Sequence, residues 1–339
     1  MKNILKKVNP YQHTLKREVA FAGIGLHSGK PVNMVIKPAR PDSGIRFIRT
    51  DINQEMSILA FMDRVVDTRL ATTIAEKDIA ISTTEHLLAT FAGMGIDNAI
   101  VELDGAEVPI MDGSAGPFVH IFKRIDRKCQ KAYRKILKIT KEISVQDGDK
   151  MIRIMPYNGM KISCDIDFNH DCIQRQAYTF EVSPKKFIKE IATARTFGFL
   201  DEVEKLRENG FALGGSLDNA VVVDKLGVLN EGGLRFADEF VRHKILDLIG
   251  DLALLGYPLL GHVVASKSGH GQHLELMKQI AAHPDCWEFV KFEKSKDGVL
   301  AKVVTTTRAT TKAAGDMLAP LIIPPPAPTL APVQSRTAY

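Results

Sequence analysis

The chain has 339 residues, 45% of them hydrophobic and 25% charged, with a formal net charge of +5. This length fits about two domains and excludes a small stapled scaffold, and the balanced composition excludes wholesale disorder, collagen and coiled coil. The charge excess belongs to the chain ends: residues 18–304 hold 37 basic and 39 acidic side chains, a net of −2, so the body carries no bulk signal for nucleic acid.

The first residues are basic but lack the apolar core of a signal peptide. The greasiest stretch, residues 245–265, is broken by Asp247 and Asp251, short of the ~18 apolar residues of a membrane span. Cys129, Cys164, Cys172 and Cys286 form no C-x-x-C pair and read as reduced thiols, so the expectation is a soluble, cytoplasmic protein. Residues 44–50 and 98–103 alternate or run apolar with β-branched residues, as strands do. Between them, Ser82 to Glu85 has the spacing of a capping box, followed by a helix that Gly93 and Gly95 should stop. The basic stretch 124–134 separates this half from new strand-like runs at 136–145 and 151–154, which puts a domain boundary near residue 132. A long helix is expected from about 237 to 255, ended by Gly256 with Pro258 beyond. Residues 305–339 contain a proline-rich run without periodicity and read as a flexible tail. Strands mixed with few helices indicate an α+β protein.

On the long helix, Val241, Ile245, Leu248, Leu252 and Leu255 form one apolar stripe, while His243, Asp247 and Asp251 stack at i, i+4 and i+8 on another side. An imidazole and a carboxylate one turn apart can address one metal ion, or form a plain surface ion pair. His86 offers a second imidazole. With it, two histidines and one carboxylate would leave a fourth position for water, the arrangement of a catalytic zinc, with Glu85 as the base. The plainer readings are a capping Glu85 and a core His86. His270, behind a glycine in what reads as an accessible loop, suits a general acid or has no role at all. Lys244 should meet an anion or solvent. The glycine clusters at 23–29 and 214–215 lack the context and lysine of a phosphate loop.

Taken together, GIGLHSGK (23–30), STTEHLLA (82–89), VPIMDGSAGPF (108–118), DFNH (167–170), ARTFGF (194–199), LGGSLDNAVVVD (213–224), the run 229–256 and KSGH (267–270) resemble the zinc-dependent UDP-3-O-acyl-N-acetylglucosamine deacetylases of lipid A biosynthesis. The resemblance runs from about residue 14 to about 292, and residues 67–80 match after a one-residue gap. It implies one zinc ion held by His86, His243 and Asp247, with Glu85 activating the zinc-bound water. It further implies that Thr196 and the metal stabilise the oxyanion, that His270 protonates the leaving nitrogen, and that Asp251 orients His270. Lys244 matches a residue near the substrate diphosphate, and Phe168 one that stacks on uracil. Phe197, Leu200, Val203, Ala212, Leu217, Ala220 and Val222 match the lining of an acyl-chain passage. The implied fold is two similar α+β domains (1–132 and 133–304), each a sheet with two helices, the helices sandwiched between the sheets, and a β-α-β insert at about 195–225 in the second. The implied partner is a UDP-linked acyl sugar bound by a monomer. The alternatives are another metal-dependent amidohydrolase or phosphohydrolase, and a non-catalytic binding module.

Overall fold

The computed structural model describes residues 8–52, 56–168, 170, 173–295 and 298–305. Residues 306–339, Cys172 and Asn169 of the DFNH motif lie outside them. The chain is α+β, as expected. Its first half is built on a five-stranded sheet of order β2-β3-β9-β4-β5, from β2 (Val19–Ile24), β3 (Pro31–Pro38), β4 (Ile45–Arg49), β5 (Ser57–Leu59) and β9 (Ala99–Leu103). Strand alternation sends Val32, Met34 and Ile36 of β3 into the core, where α1 (Glu85–Met94) and α2 (Gly116–Ile125) cover them. A small sheet of β6 (Val65–Asp67), β7 (Thr73–Glu76) and β8 (Ile79–Ile81) leads into α1.

The second half is an eight-stranded mixed sheet: β11 (Lys135–Ile139), β12 (Ile143–Asp147), β13 (Lys150–Met155), β14 (Met160–Ile166), β15 (Gln176–Glu181), β19 (Leu259–Ser266), β20 (Trp287–Ser295) and β21 (Gly298–Thr305). Its helices are α4 (Glu239–Leu252) and α5 (His270–Ala282). An insert, β16 (Phe197–Phe199), α3 (Leu200–Glu208), β17 (Val221–Asp224) and β18 (Gly227–Val228), pairs β16 and β17 in parallel across α3, the expected β-α-β unit. One hydrophobic core runs through both halves, with α1 packed directly on α4. Among the described residues no helix is long and apolar enough to cross a membrane.

Several local expectations are corrected. The basic stretch 124–134 is not structureless: it holds the end of α2 and the strand β10 (Arg127–Tyr133), which pairs with β1 (Tyr11–Leu15). Its last member, Arg134, is buried and grips Asp97 through two hydrogen bonds of 2.7 and 2.8 Å. The capping box does not form, because α1 begins at Glu85, Thr84 makes no side-chain cap, and the Glu85 carboxylate is taken by the backbone N–H of Thr72 at 3.0 Å. Gly93 lies inside α1, and the stop is Gly95, whose φ of 69° ends the helix in the left-handed region. Both stripes of the long helix are buried, since α4 is enclosed by α1, α5, β14 and β15. Finally, β21 reaches Thr305, one residue into the expected tail.

Candidate active site

The site assembles where α1 crosses α4. The crossing is close because residue 250 is a glycine: a Cβ there would overlap the backbone carbonyl of Glu85. This contact brings the first turn of α1, carrying Glu85 and His86, against the face of α4 that carries His243, Asp247 and Asp251.

His86 Nε2 lies 3.5 Å and His243 Nε2 3.3 Å from Asp247 Oδ1. Ligands about 2.0 Å from a tetrahedral ion sit about 3.3 Å from each other, so these separations suit a shared cation. The protonation states suit it too. His243 Nδ1 lies 3.0 Å from the Ala194 carbonyl oxygen, which directs its proton away and turns the Nε2 lone pair toward Asp247. Burial lowers the His243 pKa to about 4, so the ring is neutral. Burial works against the charge of Asp247, but the Lys244 ammonium, 2.9 Å from its Oδ2, holds its carboxyl well below the ordinary value. His86, His243 and Asp247 can therefore hold a metal ion. The pair at 243 and 247 is not the surface ion pair of the plainer reading, because both residues are buried.

Beside this trio stands Glu85, buried and with its pKa raised by desolvation against the opposing pull of His270 and His86. Across from it is a second group. His270 is not in an open loop: it is the first residue of α5, and its side chain is 10% exposed. A helix N-terminus and burial both disfavour an imidazolium. The Asp251 carboxylate, with Oδ2 2.7 Å from His270 Nδ1, outweighs them and pushes the pKa up to about 9.

Two further residues of the cluster escaped the sequence reading. Thr72 bridges the two sides: its backbone N–H donates to Glu85 Oε2 and its hydroxyl donates to Asp251 Oδ1 at 2.6 Å. His273 places Nδ1 2.6 Å from Asp251 Oδ2, the oxygen that His270 uses. The H-x-x-H spacing in KSGHGQH was the signal for His273; Thr72 comes from the gapped segment 67–80 and had none.

The remaining candidates gather on one side. Lys244 donates to Asp247 Oδ2 at 2.9 Å rather than standing free, and its Nζ is 5.9 Å from the Phe197 ring centre. Phe197 in turn meets Phe168 edge to face at 5.6 Å. Thr196, two residues after Ala194, is anchored by backbone hydrogen bonds to Gly113 and Val221. Of the passage candidates, Leu200 and Leu217 are 44% and 48% exposed, and Phe197, Val203, Ala212, Ala220 and Val222 are half-buried, while Val221 and Val223 fill the core. The glycine-rich loops dock on each other through Leu213 N–H to His27 O and Gly214 N–H to Leu26 O, so they serve packing. A cavity of about 630 Å³, lined in part by Leu88, Phe91, Ile249 and Leu252, opens on the far flank of the helix pair and includes none of the candidate catalytic residues.

A buried carboxylic acid, a metal-competent trio and a charged histidine, held between two α+β halves, are the equipment of a hydrolase that uses a metal ion. The chain belongs to the UDP-3-O-acyl N-acetylglycosamine deacetylase family, whose model matches residues 12–282. It is 50% identical over 279 residues to the UDP-3-O-acyl-N-acetylglucosamine deacetylase of Myxococcus xanthus (strain DK1622), covering 82% of this chain and 89% of that one. It is likewise 50% identical over 284 residues to that of Methylococcus capsulatus (83% and 93% covered), and 48% identical over 284 residues to that of Pseudomonas entomophila (83% and 94% covered).

Proposed function

We propose that this protein hydrolyses the acetamide of UDP-3-O-acyl-N-acetylglucosamine to UDP-3-O-acyl-glucosamine and acetate, as a step of lipid A biosynthesis. The observation that carries the reading is a buried carboxyl, Glu85, next to His86 of the trio His86, His243 and Asp247, together with His270, whose partner Asp251 lies one helical turn beyond Asp247. Amide hydrolysis needs a base for water at the start and an acid for the amine at the end.

His86, His243 and Asp247 would hold a zinc ion, which supplies Lewis-acid polarisation and makes water nucleophilic near neutral pH. Glu85 removes the proton of the attacking water. Thr196 and the imidazolium of His270 face the negative charge that grows on the acetamide oxygen. His270 then passes its proton to the departing nitrogen, and Asp251 keeps the ring oriented for it. Lys244 would stand near the diphosphate of the UDP portion and Phe168 would stack on its uracil. The half-exposed apolar residues of the insert would line the acyl chain, since an open apolar surface is otherwise costly in water. The domain division near residue 132, a cytoplasmic location and a monomeric state belong to the same proposal.

The test is a deacetylation assay on UDP-3-O-acyl-N-acetylglucosamine beside a phosphodiester, with metal analysis of the purified protein. Release of acetate by a protein holding one equivalent of zinc is expected. Turnover of the phosphodiester alone would overturn the assignment.

A further inference from the structure

Asp251 carries more hydrogen bonds than orienting one histidine requires. Its Oδ1 accepts the Thr72 hydroxyl, and its Oδ2 faces His270 Nδ1 at 2.7 Å and His273 Nδ1 at 2.6 Å. The two rings lie 6.0 Å apart on one face of α5, at positions i and i+3. His273 is 1% exposed, and its Nε2 is 3.1 Å from the Ser268 hydroxyl. These short separations are those of hydrogen bonds; ligands sharing an ion would stand about 3.3 Å apart, as in the trio.

We infer that His273 is a positioning residue for the acid of the reaction: by donating Nδ1–H to the oxygen that His270 also uses, it fixes the Asp251 carboxylate and sets how tightly His270 holds its proton. The inference rests on the deacetylase reading for the role of His270, though not for the hydrogen bonding itself.

Two imidazolium ions on one buried carboxylate oxygen would repel each other, so one ring must stay neutral. Burial keeps His273 below its ordinary value, whereas Asp251 raises His270. The groups facing His270 are Asp251 and Asp247 from α4, Glu85 from α1 and the Thr72 hydroxyl; those acting on His273 are Asp251, His270 and Lys244. In this field a neutral His273 donates through Nδ1 and accepts from Ser268 at Nε2. Its N–H takes up part of the Asp251 charge. Without that donor the carboxylate would be more basic, would bind the His270 proton more tightly, and would be freer to rotate away from it.

The chemistry of the two amide side chains provides the test. In His273→Asn the amide nitrogen stands where Nδ1 stood, whereas in His273→Gln it lies one methylene farther, where Nε2 met Ser268. The full-length, metal-loaded variants would be compared by imidazole NMR titration of His270 and by the pH profile of kcat/KM on UDP-3-O-acyl-N-acetylglucosamine. The Asn variant should keep the His270 titration and the alkaline limb in place. The Gln variant should move both upward by about one pH unit and lose about tenfold in kcat/KM. A side chain that merely filled space would make the two variants alike, so equal His270 titrations in both overturn the proposal. If the Gln variant does not fold, His273→Ala takes its place: an upward shift of the His270 titration there but not in the Asn variant supports the proposal, and equal titrations in the two overturn it. A wild-type protein without deacetylase activity would sink the functional reading, while the NMR comparison would still decide the role of His273.

Discussion

Gly250 of α4 lies directly against the backbone of Glu85, so close that a Cβ at position 250 would overlap the Glu85 carbonyl oxygen and approach its Cα at 3.0 Å. The first turn of α1 is therefore set against the three acting residues of α4 by the absence of a side chain, and backbone on backbone leaves nothing flexible to give way. Gly250→Ala should force the helices apart. Although alanine favours a helix over glycine by about 1 kcal/mol, overpacking costs typically 1–3 kcal/mol, so the net effect is loss of stability. Deacetylase activity should fall by more than the loss of folded protein accounts for, because Glu85 and His86 are displaced from Asp247. A thermal midpoint and specific activity at or above the wild-type values would contradict this.

Separate tasks for Glu85 and His243 can be read from metal content. His243 has its Nδ1 against Ala194 and its Nε2 against Asp247, while the Glu85 carboxylate accepts from the Thr72 backbone N–H. His243→Ala should lose the bound ion, leaving Asp247 and His86 as a two-ligand remnant. Glu85→Ala should keep the ion and lose turnover by about 10²–10⁴-fold, the range for a positioned proton-transfer group. Plasma emission analysis of the two purified variants separates these outcomes; a full equivalent of metal in His243→Ala would remove it from the ligand set.

The alkaline limb of activity should follow His270. Its pKa in the fold, about 9, lies above the ordinary histidine value near 6.5, so the charge pair with Asp251 contributes stability that is complete below about pH 6.5 and fades as pH rises through about 9. Activity that needs the imidazolium should fall over the same upper range. Asp251→Asn removes the nearest carboxylate and leaves Glu85 and Asp247 alone to oppose burial, so the limb should move down toward pH 6.5, with a large loss of kcat at pH 7.5. A limb that stays in place in Asp251→Asn would show that another group governs it.

The i, i+4, i+8 stacking of His243, Asp247 and Asp251 was legible because helical periodicity is local, and the other half offered His86 and Glu85 as candidates whose roles the motif resemblance assigned. What stayed hidden depends on neighbours distant in sequence. The Ser82–Glu85 spacing satisfies the capping pattern, but Thr72, thirteen residues upstream of Glu85, offers its backbone N–H to that carboxylate and wins. Thr72 itself gives no pattern, because its two partners, Glu85 and Asp251, come together only through the crossing of α1 and α4. His270 read as an accessible loop residue because nothing in G-H-G-Q-H announces a helix; its partner Asp251, 2.7 Å away, is nineteen residues upstream on another helix. The insert shows the reverse. There the resemblance assigned Val222 to the passage lining, and β17 turns it outward between the buried Val221 and Val223.

Glu239 supports the ligand set from outside it. It is fully buried and accepts from the Arg195 backbone N–H and Nε, both at 2.9 Å, from Arg195 Nη2 at 3.1 Å, and from the Arg235 backbone N–H at 2.6 Å. Burial opposes its charge, yet these donors hold its pKa below the ordinary value. Arg195 follows Ala194, whose carbonyl orients His243, so the ion pair fixes the strap that aims a metal ligand. Glu239→Ala leaves the Arg195 guanidinium buried and unpaired, which costs about 3–5 kcal/mol and should lower the thermal midpoint by many degrees. Glu239→Gln keeps two acceptor directions and the side-chain volume, so its loss should be smaller. In folded Glu239→Gln the metal should bind more weakly than in wild type, because the carbonyl of Ala194 is less firmly placed. Competition with a chelator measures that affinity, and an unchanged value would confine Glu239 to stability.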